Sequence, residues 1–334
     1  MKYKVVFDMS WVGMGGIGRF SSELSNRLHY NSTFSLPFIP ANAIATILYT
    51  VKSISSFNAV IFSPGFVPPL FFGSKFIFVI HDLNHIDIPS NSSILKKFFY
   101  NFIIKRNVRN AKKILTVSCF TKEKIISWSG VDAERVVVVG NGVSSAFFSD
   151  SLNVGLKKQV LCVSNRKEHK NERRLIKAFS CANIDKNICL LFTGEPTQEL
   201  QHLINSCNLN GRVRFSGFVS DSSLRSLYSE SLALLFPSLY EGFGLPVVEA
   251  MACGVPVLTS NTTSLPEVAG DAALLVNPES VDEIRVGIEQ LVHDEALRTE
   301  LIAKGLERAK LFSWDAVAAR VQAVLDEVTS QHER

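Results

Sequence analysis

Cysteine pairs of the kind that bind metals or exchange disulfides are missing from this chain of 334 residues. None of its six cysteines is spaced as Cys-x-x-Cys, which argues against a zinc ribbon or a thioredoxin-type redox site. Cysteines scattered through a chain of this length are typical of reduced thiols in the cytoplasm. We therefore expect a cytoplasmic protein.

Long uninterrupted apolar runs are missing as well. The N-terminal apolar stretch is stopped by Asp8 after three residues, so we expect no signal peptide. Residues 57–80 carry a single charge, Lys75, but prolines and glycines interrupt them. The apolar pieces Ala59–Phe62 and Phe76–Ile80 have the length of strands, whereas a membrane span needs about 20 residues. We predict two buried strands around a proline-rich loop.

The composition is that of a globular protein with an uneven charge distribution. Hydrophobic residues make up 46% and charged residues 20%, which excludes a disordered or collagen-like chain. Residues 1–150 hold 16 Lys and Arg against 8 Asp and Glu, a net of +8, and residues 151–334 hold 19 against 23, a net of −4. This asymmetry indicates that one half meets an anionic surface.

Short apolar strands alternate with helical patterns along the whole chain, and the series restarts after a polar break at 147–155. This alternation predicts an α/β protein with two doubly wound, Rossmann-like parallel sheets facing across a cleft. We place the first domain at 1–150, the second at 151–313, and a C-terminal helix at 314–334 that can cross back to the first domain.

A glycine motif, Gly13-x-Gly15-x-x-Gly18, lies between the first predicted strand and helix. Its spacing matches the dinucleotide fingerprint, in which backbone N–H groups approach an anion at a helix N-terminus. A nicotinamide site also needs an acidic residue about 20 positions later. No Asp or Glu occurs between Glu23 and Asp82, which argues against a nicotinamide enzyme. The alternative is a glycine turn that serves helix packing.

Two polar residues, His81 and Asp82, directly follow the apolar strand Phe76–Ile80. Ligands of parallel sheets bind at the carboxyl ends of strands, so either side chain can exchange protons or hold a sugar hydroxyl. The alternative is a pair that caps the end of the strand.

A charged run, SNRKEHKN at 164–171, directly follows the predicted strand Val160–Val163. Arg166 and Lys170 are placed to bind a diphosphate, the arginine through its planar fork and the lysine as a point charge. The alternative is a solvated charged face.

The most specific segment reads FPSLYEGFGLPVVEAMACGVPV over residues 236–257. A strand enters a glycine-rich loop, and Pro246 stands at the start of a helix, where proline is favoured. Glu241 in the loop and Glu249, predicted in the first helical turn, can accept hydrogen bonds from ligand hydroxyls. The glycines and the helix N-terminus favour a diphosphate.

This segment resembles glycosyltransferase family 4, whose enzymes have the GT-B fold and transfer sugars with retention of configuration. Further similar segments are Gly15–Arg19, His81-Asp82, Val117-Ser118, Gly140–Val143, Arg166–Phe179, Gly217–Val219 and Ser264–Ala273. The similarity is less specific in the N-terminal half, as expected of a half that meets a variable acceptor.

The resemblance implies a role for each matching residue. It implies catalytic roles for His81, Arg166, Lys170 and Glu241. It implies substrate binding by Gly15, Gly16, Asp82, Gly242, Phe243, Gly244, Leu245, Val248 and Glu249. Arg166 and Lys170 would bind the donor diphosphate, and Glu241 would contact hydroxyls of the transferred sugar. Glu249 would hold the ribose, and His81 would hydrogen-bond the sugar near the reacting centre.

The same resemblance defines the expected substrates. The sequence contains no Asp-x-Asp, the metal–diphosphate clamp of the other large glycosyltransferase fold, so we expect no metal and no cofactor. The preferred donor is GDP-mannose, with dTDP-rhamnose or a UDP-sugar as alternatives. The expected acceptor is a polyprenyl-diphosphate-linked or other saccharide of lipopolysaccharide O-antigen. A non-catalytic nucleotide-sugar-binding subunit is the alternative from another class.

Residues 95–113 contain seven basic residues and no acid. Leu95, Phe98, Phe99, Phe102 and Ile103 can form one helical face, typical of a helix on an anionic membrane surface. The alternative is that this face packs on the sheet. We expect a peripheral location on the inner face of the cytoplasmic membrane and no nucleic-acid partner.

Overall fold

The computed structural model describes residues 3–38, 40, 43–56, 58–71, 75–88, 92–148 and 158–330. The chain divides into two compact units, Met1–Gly142 with Ser313–Arg334, and Val143–Phe312. The first unit ends at Gly142 rather than near residue 150, because the turn Ser145–Phe147 packs within the second unit. There the Phe147 carbonyl accepts a hydrogen bond from Cys253 Sγ at 3.2 Å. Residues 149–157 of the predicted break lie outside the described residues.

The first unit is built on a six-stranded parallel sheet. Its strands are β1 (Lys4–Asp8), β2 (Ser32–Phe34), β3 (Ala59–Ser63), β4 (Phe76–Ile80), β5 (Ile114–Thr116) and β6 (Val136–Val138). They lie in the order β2-β1-β3-β4-β5-β6. The order reverses between β1 and β3, so the loops that follow these two strands flank the switch point where α/β sheets bind ligands.

In the described part of the first unit, six α-helices connect these strands. They are α1 (Gly15–Ser25), α2 (Ala43–Ser55), α3 (Asn84–Asp87), α4 (Ile94–Phe98), α5 (Lys105–Asn110) and α6 (Cys119–Ser129). Helix α1 begins at Gly15, four residues before the predicted start, because the glycine motif itself forms the first turn. A π-helical segment, Phe99–Ile104, joins α4 to α5.

The second unit contains another six-stranded parallel sheet. Its strands are β7 (Gln159–Cys162), β8 (Cys189–Phe192), β9 (Val213–Phe215), β10 (Ala233–Phe236), β11 (Val257–Ser260) and β12 (Leu274–Val276). Their order, β12-β11-β10-β7-β8-β9, is that of the Rossmann fold, with its switch point between β7 and β10. The predicted fold class, α/β with two Rossmann-like parallel sheets, is confirmed.

The remaining helices complete both units. They are α7 (Glu172–Cys181), α8 (Gln198–Ser206), α9 (Asp221–Ser229), α10 (Leu245–Ala252), α11 (Leu265–Ala269), α12 (Val281–His293), α13 (Glu295–Ala309) and α14 (Trp314–Ser330). Helix α14 belongs to the first unit, where the Trp314 ring lies 5.9 Å from that of Phe20 and Arg320 Nε donates to the Val139 carbonyl at 2.7 Å. Within the described ranges, none of the helices is both long and apolar enough to cross a bilayer.

Candidate active site

Two loops meet at the switch point of the second unit, one after β7 and one after β10. Leu239 N donates to the His169 carbonyl at 2.8 Å, and Asn171 Nδ2 donates to the Pro237 carbonyl at 2.9 Å. Asn171 has φ of 61°, a left-handed conformation that asparagine tolerates better than most residues. These bonds hold the charged run 164–171 against the glycine-rich segment.

Lys170 and Glu241, one from each loop, form an ion pair. Lys170 Nζ lies 2.6 Å from Glu241 Oε1, and the two side chains are only 14% and 13% exposed. The ammonium also lies 4.9 Å from the centroid of the Phe236 ring. A lysine carries three N–H donors and a carboxylate two oxygens, so the pair keeps capacity for a phosphate oxygen and a hydroxyl. The structure thus brings together two residues predicted for the site.

Arg166 takes a different position. Its backbone is left-handed, with φ of 64°, and its guanidinium forms an ion pair with Glu172. The same group donates to the carbonyls of Thr193 and, at 2.7 Å, Glu195. Arg166 therefore fixes the loop after β7 to the end of β8, and the structure does not place its guanidinium on the Lys170–Glu241 pair. Glu172 was not predicted, although its place at the start of α7 beside a basic run is a weak signal.

A cavity of about 700 Å³ borders the loop after β7. Five basic residues line it: Arg166, Lys167, Arg173, Arg174 and Lys177. Its acidic lining consists of Glu168, Glu172 and Glu199, and Leu239 from the loop after β10 completes one side. The two loops therefore border a recess in which positive charge prevails.

The N-terminus of α10 is shaped by Gly244. This residue has φ of 106°, and a Cβ here would lie 2.6 Å from Leu265 Cδ2. Only glycine fits both restrictions. Helix α10 follows with Pro246 in its first turn, no side-chain cap at Gly244 and no acidic residue in that turn. Its N–H groups and dipole therefore favour an anion.

The segment from Glu241 to Phe243 is held from the side by the residues before α11. Ser264 Oγ lies 2.9 Å from the Glu241 carbonyl and 3.0 Å from the Phe243 carbonyl, so its one O–H is shared between these two acceptors. The Phe243 ring packs edge-on against Phe312 with centroids 5.6 Å apart, and Gly242 is buried. These contacts fix the backbone around Glu241. Ser264 was noted only as part of a similar segment, without a role.

Glu249 lies deeper than Glu241. It is 3% exposed, and its Oε2 accepts a hydrogen bond from the buried hydroxyl of Tyr228 at 2.9 Å. The prediction that Glu249 lies in the first turn of its helix is wrong, because α10 begins at Leu245. Val248 beside it is buried and Leu245 is half-buried. Tyr228 therefore orients the second carboxylate of the motif.

The glycine motif of the first unit borders open space. Gly13 and Gly15 have φ of 83° and 56°, and a Cβ at Gly13, Gly15 or Gly16 would meet no atom within 4 Å. Gly18 differs, because its Cβ would lie 2.8 Å from the backbone of Gly13. The first turn of α1 has neither a side-chain cap nor an acidic residue. Gly15 and Gly16 therefore leave room for an anionic group at this helix N-terminus.

A buried hydrogen-bond network lies at the ends of β1 and β3. Asp8 is fully buried and accepts from Tyr49 Oη and Ser63 Oγ, both at 2.7 Å. Trp11 Nε1 in turn donates to Ser63 Oγ at 3.0 Å. Burial, together with the charge of Asp8, raises the pKa of Tyr49. The network anchors the loop that carries the glycine motif, a role that no local pattern assigns to Asp8.

His81 is held as a neutral imidazole. Its Nε2 donates to the Pro64 carbonyl at 2.8 Å, and its ring packs edge-on against Phe20 with centroids 5.0 Å apart. Burial lowers the pKa of His81 to about 4. A carbonyl can only accept, so the proton lies on Nε2 and Nδ1 is an acceptor. Of the two predicted roles, the geometry favours holding a hydroxyl over exchanging protons.

Asp82 makes a local contact. Its Oδ1 accepts from Asn84 N at 3.0 Å, which begins the short helix α3. Its charge also adds to the effect of burial that raises the pKa of Tyr100. This contact shapes the turn between β4 and α3, so substrate binding by Asp82 stays a prediction.

Two Rossmann-like units in one chain, each with polar residues at its switch point, define a protein of the GT-B type. Residues 144–308 match the family model described as glycosyl transferases group 1, and residues 42–147 match that of glycosyltransferase family 4. The chain belongs to the family 4 glycosyltransferases.

Relatives with curated descriptions include two O-antigen enzymes. The O-antigen chain mannosyltransferase B of Escherichia coli is 34% identical over 250 residues, which are 70% of this chain and 66% of that protein. The O-antigen chain mannosyltransferase RfbU of Salmonella typhimurium is 32% identical over 201 residues, 60% of this chain and 56% of that protein. The chain thus spans less than two thirds of the length of these relatives.

Solved structures show the shared fold. Sucrose-phosphate synthase from Thermosynechococcus elongatus superposes with a TM-score of 0.78 over 98% of this chain and 99% of that one, at 18% identity.

Proposed function

We propose that the protein transfers a mannosyl residue from GDP-mannose to a lipid-linked saccharide in surface polysaccharide synthesis. The observation that carries this proposal is the Lys170–Glu241 pair, 2.6 Å apart at the Rossmann switch point and followed by the uncapped N-terminus of α10. The choice of mannose is supported by the two relatives, which are named O-antigen chain mannosyltransferases.

The donor diphosphate is assigned to the N–H groups from Gly242 to the first turn of α10 and to Lys170. A helix N-terminus and an ammonium group both attract phosphate oxygens. Arg166, which is ion-paired with Glu172, holds the loop after β7 in place. Lys170 and the helix N-terminus offset the charge of the leaving group, and we propose that transfer needs no metal.

The sugar and the ribose are assigned to the two carboxylates. Glu241 keeps one oxygen on Lys170, and the other accepts a hydrogen bond from a hydroxyl of the transferred sugar. Glu249 takes the ribose, in the orientation that Tyr228 gives it. In the first unit, His81 Nδ1 is left to accept a hydrogen bond from a ligand hydroxyl, and Gly15 and Gly16 leave room for an anionic ligand group.

The proposed reaction retains the anomeric configuration. The bond between the sugar C1 and the diphosphate oxygen breaks, and a bond from C1 to the acceptor oxygen forms on the same face. The proton of the acceptor hydroxyl passes to the leaving diphosphate, whose negative charge Lys170 stabilises. The donor and the acceptor therefore supply every atom and proton of the reaction.

A thermal-shift screen with EDTA present tests the donor and the absence of a metal together. The protein should be stabilised most by GDP-mannose, compared with UDP-glucose and dTDP-rhamnose, because ligands that bind only the folded state raise Tm. A larger shift with UDP-glucose or dTDP-rhamnose would refute GDP-mannose as the donor. The absence of any shift would contradict the proposal as a whole.

We further propose peripheral contact with an anionic membrane through residues 94–106. Lys96, Lys97 and Phe98 are exposed, whereas the face that packs on the sheet carries Tyr100 and Ile104. Leu95, Phe98 and Phe102 of the predicted apolar face are all exposed. These three side chains therefore do not pack on the sheet, as the alternative interpretation required.

The charges in this segment give the test of membrane contact. The K96Q/K97Q variant should bind vesicles containing phosphatidylglycerol more weakly than the control K158Q/K186Q, which removes two exposed charges from the second unit. Equal binding by the two variants would remove the proposed contact. Lys113 is unsuited to this test, because it pairs with Glu327 at 3.2 Å.

A further inference from the structure

Helix α2 exposes a stripe of large aliphatic side chains. Ile44, Ile47, Val51 and Ile54 are between 53% and 61% exposed, and their spacing of three, four and three residues places them on one face. On the other side of the helix, Tyr49 is fully buried and packs edge-on against Phe76 at 5.3 Å. One face of α2 thus packs on the sheet, and the opposite apolar face is exposed to solvent.

The stripe lies on the same side of the sheet as residues 94–106. Helix α2 leads from β2 to β3, and the segment α4–α5 leads from β4 to β5, both in the same direction across the strand order. Right-handed crossovers in one direction lie on one face of a sheet. Leu70 and Phe71 contact both elements. Leu70 N donates to Thr50 Oγ1 of α2 at 2.7 Å, and the guanidinium of Arg106 lies 5.4 Å from the centroid of the Phe71 ring.

Apolar exposure is concentrated on this side of the molecule. Of the fourteen large hydrophobic side chains exposed within the described residues, nine belong to α2, Phe71 and the segment 94–102. A contiguous exposed apolar area of this kind marks an interaction surface.

The charge around the stripe selects the partner. Lys52 lies on α2 itself, and no acidic residue occurs between Glu23 and Asp82. Lys96 and Lys97 add exposed positive charge on the neighbouring segment. Neither α2 nor the segment 94–106 contains an acidic residue. Two such elements with lysines and exposed apolar side chains fit the headgroup boundary of an anionic bilayer.

We propose that α2 is a second membrane-contact element, which inserts Ile44, Ile47, Val51 and Ile54 into the headgroup boundary of an anionic bilayer beside residues 94–106. This extends the membrane contact proposed above to a separate helix, and it does not depend on which sugar is transferred. Two elements that insert side by side hold a peripheral protein more firmly than one, because their buried apolar areas add.

The I47S/V51S variant tests this proposal by co-sedimentation with phosphatidylglycerol–phosphatidylcholine vesicles. Its vesicle affinity should fall at least about tenfold, since two exposed aliphatic side chains are lost from the inserting face. The matched control V286S/L311S removes two exposed aliphatic side chains from the second unit and should bind vesicles as the unchanged protein does. The Tm of both variants should stay close to that of the unchanged protein, since none of these side chains is buried.

Two results would overturn the proposal. One is vesicle binding by I47S/V51S equal to that of the control. The other is an unchanged protein that binds no vesicles but forms dimers which I47S/V51S dissociates, as measured by light scattering, because the stripe would then join two copies of the chain. The thermal shift by GDP-mannose should be the same in I47S/V51S and the control, so a failure of donor binding is separable from a failure of membrane contact.

Discussion

Lys170 and Glu241 neutralise each other in a site that is largely shielded from water. Removing either partner leaves the other charge without compensation, which costs more than the pair contributes net. We expect K170M and E241Q each to destabilise the protein by about 1–3 kcal/mol. The double variant should lose less than the sum of the two.

This double-mutant cycle is measured by chemical denaturation of the unchanged protein and the three variants. The exposed pair Lys310–Glu307, whose side chains are 61% and 73% exposed, provides the matched control and should show coupling below about 1 kcal/mol. Strictly additive losses at Lys170 and Glu241 would show that the ion pair does not form in solution.

Burial of His81 makes stability depend on pH. The pKa of this imidazole is lowered from 6.5 to about 4, so folding favours its neutral form. The stabilising contribution is complete above pH 6.5 and is lost as the pH falls towards 4. The loss of Tm between pH 7.5 and pH 5 should therefore be smaller in H81N than in the unchanged protein. The exposed His202 gives the control, H202N, and an equal loss of Tm in H81N and H202N would contradict the buried neutral imidazole.

Two glycines at the start of α1 are predicted to have different roles, Gly16 in ligand binding and Gly18 in folding. G16A adds a Cβ into open space, so Tm should be unchanged or slightly higher, while the added methyl occupies the space assigned to an anionic ligand group. G18A places a Cβ 2.8 Å from the backbone of Gly13 and should lower Tm, because the loop must shift. Differential scanning calorimetry and steady-state transfer rates measure the two effects. Lower transfer in G16A without loss of stability is expected; normal transfer would contradict a ligand at this N-terminus.

Elements whose ends are marked by glycine or proline in the sequence were predictable. Helix α2 and strand β2 were not. The loop before α10 was predictable because Gly244 and Pro246 mark the helix start in the sequence itself. Helix α2 escaped prediction because it is apolar on both its buried and its exposed faces, which removes the 3.6-residue alternation. Strand β2 is a three-residue edge strand with two exposed residues, too short for a pattern.

The site shows the same division. Lys170 and Glu241 were predictable one by one, because each follows a buried strand in a charged or glycine-rich loop. Their contact was not, since it joins residues 71 positions apart. The anchoring of Arg166 depends on carbonyls at the end of β8, and the burial of Asp8 depends on Tyr49 and Ser63. Such long-range partners are set by the sheet order and leave no trace in local spacing.

The whole chain is organised so that its C-terminal helix completes the N-terminal unit. The buried residues Trp314, Val317 and Val321 of α14 face this unit, where a Cβ on Gly142 would lie 2.5 Å from the Trp314 ring. Truncation after Phe312 should therefore expose α1 and β1 while the second unit stays intact. Hydrogen exchange followed by mass spectrometry should show lost protection in residues 4–25 and unchanged protection in β7 and β10. Lost protection in β7 would contradict this division.

The central claim is that Lys170 and the α10 N-terminus bind the donor diphosphate while Glu241 binds the transferred sugar. Isothermal titration calorimetry of GDP and GDP-mannose, with the unchanged protein, K170M and E241Q, tests it most directly. The unchanged protein should bind GDP-mannose more tightly than GDP. The K170M variant should bind both ligands at least about tenfold more weakly than the unchanged protein does. The E241Q variant should bind GDP as the unchanged protein does, and it should bind GDP-mannose no more tightly than GDP. The account would be contradicted by an E241Q variant whose preference for GDP-mannose over GDP equals that of the unchanged protein. It would also be contradicted by a K170M variant with unchanged affinity for GDP.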